Sequence, residues 1–346
     1  MSMANSTTTS KKLLRVLHVG LAGRGKWPLT QCKPEIGFVS AGLCDVSDDA
    51  LAAARLITGL SEQQCYRDLA QALEQLKPDC AIICTPTRFH VPMALQCIEK
   101  NVPVLVEKGM APDWESATRL VHAVREKRAI VAVAQNYRYN AMERTVRRAI
   151  HDDGWDAHIG PAHMITYTQQ RVRPNPNTLN YPFASVWDMS CHHLDNLLDW
   201  LGPVHSVTAQ AWRADWSAYV HPNNTTAHLV FQNGTHVHYI HTHDAARSSL
   251  EIQVHGQRGA IYVMESDVTF NLRPTQQLAR GEPGHVTLEI HRGEAGLLED
   301  FHTYVTQQIE PGISVYANYE TMAACEMMVR SVTLNRPVLR TELDHD

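Results

Sequence analysis

Short apolar runs alternate with amphipathic segments through the first 135 residues of the chain. These runs have the length and character of buried strands and comprise Leu14–Val19, Phe38–Cys44, Ala81–Cys84, Val102–Val106 and Ile130–Ala134. Between them, apolar residues recur at helical spacing in Ala50–Thr58, Arg67–Gln75, Pro92–Lys100 and Trp114–Lys127. Strands that alternate with helices through short linkers form a parallel sheet with right-handed crossovers. The pattern therefore predicts an α/β fold that begins with a doubly wound parallel sheet.

The pattern changes near Asn136, where segments of alternating or β-branched residues follow one another. They predict strands over His163–Gln169, Val204–Trp212, Thr225–Phe231, His236–His243 and Ser249–Val254. The Asn233-Gly234 dipeptide predicts a tight hairpin between two of them. We expect a large, open, mostly antiparallel sheet, covered on one face by an amphipathic helix over 188–201. A second subunit would cover the other face, in a homodimer or homotetramer.

The change of pattern also divides the chain. We expect a flexible tail over 1–12, a first domain over 13–135 and a second α+β domain over 136–346. A chain of 346 residues is long enough for two such domains.

The composition narrows the classes of partner. The net charge of −5 disfavours nucleic acid or an anionic membrane, and no apolar run reaches the length of about 18 residues that a membrane span needs. The first 12 residues lack the apolar centre of a secretory signal. The eight cysteines include no CxxC pair, which favours a reducing compartment. We therefore expect a cytoplasmic protein that acts on a small molecule.

A glycine-rich loop follows the first predicted strand. It consists of Gly20, Ala22, Gly23, Arg24 and Gly25 and fits the pattern G-x-G-x-x-G, with alanine at the second glycine position. The first glycine permits a tight turn, the last lets helix and strand approach closely, and the helix N-terminus offers N–H groups to a pyrophosphate. The loop predicts a dinucleotide-binding site.

Asp45 ends the second predicted strand, 20 residues after Gly25. A carboxylate at this point accepts hydrogen bonds from the ribose hydroxyls of an adenosine and repels a 2′-phosphate. No Arg or Lys follows it directly. The sequence therefore predicts NAD as the cofactor, with NADP as the less favoured alternative.

Further residues at the carboxyl ends of later strands lie at the edge where open α/β sheets bind ligands. The residues expected on the cofactor rim are Thr85, Pro86, Thr87, His90, Glu107, Lys108 and Asn136. Lys108 has the additional capacity to stabilise a developing alkoxide or to carry its proton.

The segment from Trp187 to Gly202 holds the candidate acid–base pair. Asp188 and His192 are four residues apart and would share one helix face, which Asp195 joins a turn later. An imidazole beside a carboxylate is suited to general acid–base chemistry near neutral pH. A buried structural Asp–His pair is the alternative interpretation. Cys191 is interpreted as a packing residue because no basic partner beyond the adjacent histidines accompanies it.

Taken together, these motifs resemble the Gfo/Idh/MocA oxidoreductase family, over a span from Leu14 to about Leu339. The segments that carry the resemblance are the glycine loop, Thr85-Pro86-Thr87 with His90, Val104–Lys108, Gln135–Tyr139, Asp188 with His192 and Asp195, Leu298–Phe301 and Asn335–Val338. The resemblance implies a Rossmann domain followed by a sheet domain that binds substrate and forms the oligomer. It also implies NAD(P)-linked oxidation or reduction of a hydroxyl of a sugar or cyclitol.

The resemblance also implies roles for individual residues. Lys108 matches the family's catalytic lysine, and Asp188 and His192 match its carboxylate and acid–base histidine. Glu107 matches the residue placed beside the nicotinamide.

Three positions depart from the family pattern. Gly109 stands where proline usually follows the lysine, which removes the backbone restriction that a proline imposes. Ser190 replaces the usual glycine between Asp188 and His192. Ala141 or Met142 stands where a proline is common.

The stretch Thr168–Trp187 is interpreted as a loop at the mouth of the site, because it leads directly into Asp188. Tyr181 and Trp187 would flank the apolar face of a sugar ring. Arg171 and Arg173 would hold a carboxylate, phosphate or sulfonate group, or alternatively form surface ion pairs.

Four histidines over 236–243 raise the question of a metal site. His236 and His238 share a strand face, but no carboxylate or cysteine accompanies them at ligand spacing. We therefore predict no metal.

The leading functional hypothesis is an NAD-dependent dehydrogenase or reductase for a polyhydroxylated substrate. Lys108 and His192 would manage the hydroxyl proton, and Asp188 would orient the imidazole. Two alternatives stay open: a redox-assisted glycoside hydrolase that uses NAD transiently, and a non-catalytic nucleotide-binding regulator.

Overall fold

The chain forms two compact units in a computed structural model that describes residues 11–265, 267–272 and 284–344. The first unit comprises the chain up to Ala111, together with Ser116–Ala134 and Glu294–Val315. The second comprises Pro112–Glu115, Gln135–Gly293 and the chain from Tyr316 onward. Most of the expected tail over 1–12 lies outside the described residues.

The first unit contains a six-stranded parallel sheet. Its strands are β1 Leu14–Val19, β2 Phe38–Cys44, β3 Cys65–Tyr66, β4 Cys80–Ile83, β5 Val104–Glu107 and β6 Val131–Ala134. They lie in the order β3-β2-β1-β4-β5-β6, and every pair is parallel. The order reverses between β1 and β4, and open α/β sheets bind ligands at such a switch point. The predicted doubly wound sheet is confirmed.

Helices connect these strands. They are α1 Lys26–Gln31, α2 Asp48–Thr58, α3 Leu69–Leu76, α4 His90–Glu99 and α5 Trp114–Lys127. The sequence pattern placed the centres of α2, α3, α4 and α5 correctly, whereas it gave no bounds for α1. Its errors lie at the ends, as at α4, which begins at His90 rather than Pro92.

One segment from late in the chain returns to the first unit. It contains most of α8 Gly293–Gln307, in which Phe301 stacks on Phe38 with ring centroids 6.3 Å apart. The N–H of Val133 also donates to the carbonyl of Ile313. The expected division at residue 136 assigned this segment to the second domain, because a local pattern does not record which distant core a helix joins.

The second unit contains a nine-stranded sheet. Its strands are β7 Ala162–Val172, β8 Val204–Trp212, β9 Asn224–Phe231, β10 His236–Thr242, β11 Asp244–Gly256, β12 Gly259–Met264, β13 Asp267–Leu272, β14 Gly284–His285 and β15 Val338–Leu339. They lie in the order β14-β13-β12-β11-β7-β10-β9-β8-β15. Among the strand pairs that the described residues form, β7–β10 alone is parallel, so the predicted mostly antiparallel sheet is confirmed.

The described part of the second unit contains the helices α6 Ala141–His151 and α7 Cys191–Leu201 and all but the first residue of α9 Val315–Leu334. Tyr167 of β7 and Tyr239 of β10 are buried, and both rings contact His193 of α7. Helix α7 therefore covers this face of the sheet at its centre, as the sequence predicted. Within the described ranges, no helix has the length and apolar character that crossing a bilayer requires.

The predicted start of the loop at the mouth of the site, Thr168, is wrong. Thr168–Val172 continues strand β7, which pairs with β10 on one side and with β11 on the other. Pairing on both sides stabilises the extended backbone well beyond the point where the alternation fades. Arg171 therefore lies on a strand, whereas Arg173 and Tyr181 lie on the loop that follows.

Candidate active site

The glycine loop of the first unit has the close approaches that its sequence predicts. Gly20 has a φ of +78°, and a Cβ there would lie 2.8 Å from the backbone nitrogen of Thr85. At Gly25 a Cβ would lie 1.9 Å from the carbonyl oxygen of Gly20. Ala22 has φ −90° and ψ 166°, an extended conformation that any residue adopts, so alanine at this point causes no backbone strain. The loop fits a dinucleotide pyrophosphate.

Asp45 lies directly beside this loop. Its Oδ2 accepts the N–H of Leu21 at 2.7 Å, and its Oδ1 accepts the N–H of Ser47 at 2.9 Å. Each carboxylate oxygen retains a second lone pair that can accept a ribose hydroxyl. The residues that follow, Val46 and Ser47, carry no positive charge. Asp45 can therefore accept hydrogen bonds from an adenosine ribose.

Glu107 is an internal anchor at the end of β5. Its side chain is 3% exposed, and Oε1 accepts hydrogen bonds from Arg24 Nε and Trp27 Nε1, each at 2.9 Å. Its Oε2 accepts the N–H of Lys108 at 2.9 Å. Sequence reasoning assigned Arg24 and Glu107 to the cofactor separately and missed both their ion pair and Trp27. Trp27 lies in the first turn of α1, four residues before Gln31, and no motif marked it.

His90 connects two of the predicted rim segments. It is buried, with Nε2 2.7 Å from the carbonyl oxygen of Thr85 and Nδ1 2.8 Å from that of Gly109. Burial lowers the pKa of His90, whereas the two carbonyls oppose that shift. Both ring nitrogens thus face backbone oxygens, and the peptide bond between Lys108 and Gly109 is cis.

The remaining residues predicted for the cofactor rim lie in short turns or at a strand end. Pro86 precedes a short 3-10 turn over Thr87–Phe89, which leads into α4. Asn136 begins a second 3-10 turn, Asn136–Tyr139, in the second unit. Lys108 follows β5 directly, at the carboxyl edge of the parallel sheet, where its sequence position predicted it.

The candidate acid–base residues lie where the sheet of the second unit meets α7. Asp188 lies in a π-helical turn, Val186–Ser190, that runs directly into α7, and its Oδ2 accepts a hydrogen bond from Arg173 Nη2 at 3.0 Å. His192 is 4% exposed and stacks on Tyr137, with ring centroids 4.1 Å apart and an interplanar angle of 13°. The sequence identified Tyr137 only as part of the Gln135–Tyr139 segment, which resembles the family, and gave it no role of its own.

Asp195 has a structural partner. Its carboxylate is buried and binds Arg138 through Nε at 2.5 Å and Nη2 at 3.0 Å, and it also accepts the hydroxyl of Thr321 at 2.9 Å. Arg138 reaches Asp199 as well, through Nη1 at 2.8 Å. This network fixes the Asn136–Tyr139 turn against α7, so the expected grouping of Asp195 with the acid–base pair corresponds to a packing role.

The four residues of the Thr168–Trp187 stretch that were expected to contact substrate lie in different surroundings. Arg173 is paired with Asp188, and Arg171 donates from Nη2 to the hydroxyl of Tyr137 at 3.2 Å. Trp187 is partly exposed within the π-helical turn. Tyr181 donates its hydroxyl to the carbonyl of Pro112 at 2.9 Å. The structure therefore brings Arg171, Tyr137 and His192 together.

The histidines of β10 divide between the two sheet faces. His236 and His238 are exposed, and their rings stack on His228. His241 and the following His243 are buried. Within the part of the chain that the structure describes, no group of three or more histidine, cysteine or acidic side chains is placed to hold a metal ion.

Comparison with known proteins shows which family the chain resembles. Residues 14–135 match the family model described as "Oxidoreductase family, NAD-binding Rossmann fold", and residues 145–262 match the "GFO/IDH/MocA C-terminal domain". An uncharacterised protein, y4oX, from Sinorhizobium fredii is 24% identical over 94% of this chain and 95% of its own. Inositol 2-dehydrogenase from Rhizobium meliloti is 25% identical over 92% of this chain and 98% of its own.

A solved structure extends the likeness to the fold. An oxidoreductase from Agrobacterium radiobacter, crystallised with NAD+, L-tartaric acid and magnesium, superposes with a TM-score of 0.81 at 18% identity. The match covers 95% of this chain and 99% of that chain. With both of its domain models matched in order, the chain belongs to the GFO/IDH/MocA family of oxidoreductases.

Proposed function

We propose that the chain is an NAD-dependent dehydrogenase or reductase of a polyhydroxylated small molecule, in the class of sugars, sugar derivatives and cyclitols. The observation that carries the proposal is the setting of His192, an imidazole at the start of α7 that stacks on Tyr137, four residues after the Arg173-bound Asp188. The inositol 2-dehydrogenase of Rhizobium meliloti, similar along nearly its whole length, supports this substrate class.

Asp45 supports NAD over NADP. Its carboxylate lies against the glycine loop through the N–H of Leu21, where a 2′-phosphate would meet a negative charge with no neighbouring cation in sequence. The Agrobacterium radiobacter oxidoreductase was crystallised with NAD+, which agrees with this preference.

The residues of this chain would divide the work around the hydride transfer. When bound, the nicotinamide supplies or accepts the hydride. The ammonium of Lys108 stabilises negative charge on the substrate oxygen, and the imidazole of His192 takes up or returns the hydroxyl proton. Asp188 orients the imidazole of His192, and Arg173 Nη2 donates to the carboxylate of Asp188 at 3.0 Å. Glu107 Oε2 accepts the backbone N–H of Lys108 and so keeps the backbone of Lys108 in place.

The test is to incubate the protein with NAD+ or NADP+ and a panel of free sugars, sugar acids, cyclitols and glycosides. Formation of reduced nicotinamide and cleavage of glycosides are followed in parallel. Reduced NAD on a free sugar, sugar acid or cyclitol, lost in both Lys108→Ala and His192→Ala, is the expected result.

Two other outcomes would contradict the proposal. Glycoside cleavage without net reduced cofactor would favour the redox-assisted hydrolase. Tight NAD+ binding without turnover of any panel member would favour the nucleotide-binding regulator.

A further inference from the structure

The two arginines near the acid–base residues differ in their partners. Arg173 is neutralised by Asp188 at 3.0 Å. Arg171 has a single side-chain hydrogen bond, from Nη2 to the hydroxyl of Tyr137 at 3.2 Å, and no carboxylate of the described residues lies within ion-pair distance of it. Its Nε is buried and has no hydrogen-bond partner in the described part of the chain. The buried Nε–H of Arg171 therefore has no acceptor among the described residues, and its positive charge has no carboxylate partner among them.

The strand β7 holds Arg171 on the face that carries the acid–base chemistry. Tyr167 and Gln169 are buried on the face covered by α7, and Arg171 follows at the same two-residue spacing. The hydroxyl of Tyr137 accepts from Arg171 while its ring stacks on His192. One side chain therefore contacts both the unneutralised arginine and the candidate acid–base histidine.

Three buried histidines lie in the same region. The rings of His193 and His241 are 5.1 Å apart, and those of His241 and His243 are 4.9 Å apart. In each, Nδ1 has a hydroxyl partner, whereas Nε2 is buried with no partner among the described residues.

The hydroxyl directions indicate which nitrogen of each ring carries the proton. Tyr219 donates its only hydroxyl proton to the carbonyl of Arg173 at 2.6 Å, so the Nδ1–H of His243 must donate to Tyr219. Tyr239 donates its hydroxyl proton to Ser190, which in turn donates to the carbonyl of Ser185. The Nδ1–H of His193 must therefore donate to Tyr239. His241 also contacts Ser190 through Nδ1. Each Nε2 is then a hydrogen-bond acceptor.

These histidines are neutral at physiological pH. Burial is the main cause that lowers the pKa of His193 to about 3, and the charge of Arg171 contributes. Burial is also the main cause that lowers the pKa of His243 to about 4, where Asp188 opposes the shift and Arg173 and Arg171 add to it. Burial likewise places the pKa of His241 well below its usual value, with Arg171 again among the causes. The region therefore combines the guanidinium of Arg171, which has no carboxylate partner among the described residues, with three neutral histidines.

We infer that Arg171 binds the carboxylate of a polyhydroxylated acid, a uronate or an aldonate, as the substrate of the proposed dehydrogenase. The carboxylate supplies the counter-charge that Arg171 lacks. A neutral polyol would leave Arg171 without a counter-charge. The inference rests on the proposed function in that it treats the bound acid as a substrate. Binding of the acid at Arg171 can be tested without turnover.

The test measures binding by calorimetry to the protein saturated with NAD+. The probes are matched pairs that differ in one carboxylate: D-glucuronate and D-glucose, D-galacturonate and D-galactose, D-gluconate and D-glucitol. We expect at least one acid to bind about 10- to 100-fold more tightly than its neutral partner, as a charge-assisted pair implies. Arg171→Gln should reduce the ratio of acid affinity to neutral affinity to about one.

Arg258→Gln is the matched control, since Arg258 is an exposed arginine of the same unit. It should keep the acid preference. Equal binding of acid and neutral partners, a preference that survives Arg171→Gln, or no binding of any acid would each overturn the inference.

Turnover of the same pairs separates this inference from the proposed function. Oxidation of neutral sugars as fast as acids, unchanged in Arg171→Gln, would overturn the carboxylate site and leave the dehydrogenase standing. Arg171-dependent binding of an acid without reduction of NAD+ would leave the site standing and overturn the dehydrogenase.

Discussion

The ring of Tyr137 lies nearly parallel to the imidazole of His192, with 4.1 Å between their centroids. The stack restricts rotation of the imidazole, because turning the ring would drive its edge into the tyrosine. The stack covers a face of the imidazole and leaves the ring nitrogens at its edge. Tyr137 precedes Arg138, which is tied to α7 through Asp195 and Asp199, so the stacking surface is itself held to the helix that carries His192.

The stack predicts different outcomes for two substitutions of Tyr137. Tyr137→Leu removes the flat surface and should lower kcat by about 10- to 100-fold, because a misoriented general acid–base loses much of its contribution. Tyr137→Phe keeps the surface and should stay within about fivefold of the wild-type kcat on a neutral substrate. Steady-state kinetics across pH check this expectation. Equal losses in the two variants would show that the hydroxyl, rather than the stack, matters for proton transfer.

Lys108 should contribute to turnover and little to cofactor affinity. Lys108→Met removes the ammonium while keeping the length of the chain, and kcat should fall by about 10²- to 10⁴-fold. The Kd for NAD+, measured by fluorescence or calorimetry, should change by less than about threefold. Lys100→Met, at an exposed site after α4, is the control and should match the wild type. A large loss of NAD+ affinity in Lys108→Met would instead give the lysine a cofactor-binding role.

Asp45 should set the cofactor preference. Replacing it with Ser and Val46 with Arg removes the repulsive carboxylate and adds a cation beside it, so the ratio of kcat/KM for NAD+ to that for NADP+ should fall by about 100-fold or more. Asp45 also accepts the N–H of Leu21, so part of the NAD+ affinity should be lost with the loop contact. Asp45→Asn retains an acceptor and controls for that loss. A ratio unchanged in the double variant would show that other residues select the cofactor.

The limits of sequence reasoning follow from the range over which each interaction acts. The strand β1, the Gly20–Gly25 loop and Asp45 were predictable because apolar periodicity and turn chemistry are local. The ion pair of Arg24 with Glu107 joins residues 83 positions apart, and that of Arg138 with Asp195 joins residues 57 apart, so no local pattern records them. Whether Arg171 or Arg173 is neutralised depends in the same way on which side chain reaches Asp188.

The Arg138–Asp195 pair should matter for stability. Asp195→Asn leaves the buried guanidinium with Asp199 and an amide, and it removes the bidentate charge pairing, so the free energy of unfolding should fall by about 3 kcal/mol. Asp199→Asn, whose carboxylate is more exposed, should cost less than half as much. Chemical denaturation of both variants checks the order. Equal costs would show that the two carboxylates stabilise Arg138 to the same extent, and a larger cost for Asp199→Asn would place the main stabilising contact there.

Glu143 should make the protein less stable as the pH rises. Burial raises its pKa to about 7, and its Oε2 is buried without a partner among the residues described. Between its ordinary pKa of 4.5 and 7, the folded state holds a proton that the unfolded state has released. The folded state therefore binds more protons in this interval, and the free energy of unfolding contributed by this group falls as the pH rises.

Glu143→Gln replaces the protonated carboxyl with a neutral group of the same shape and removes this cost. The variant should be more stable than the wild type by about 1–3 kcal/mol at pH 8 and equal to it near pH 4.5. Burial also lowers the pKa of His18 and His243 to about 4, so both proteins should lose stability below pH 6.5 as the unfolded state takes up protons first. That loss cancels in the difference between the two proteins at each pH. Denaturant titrations of wild type, Glu143→Gln and the exposed control Glu126→Gln at several pH values measure that difference. A gain that is constant with pH would assign the effect to packing rather than to the proton of Glu143.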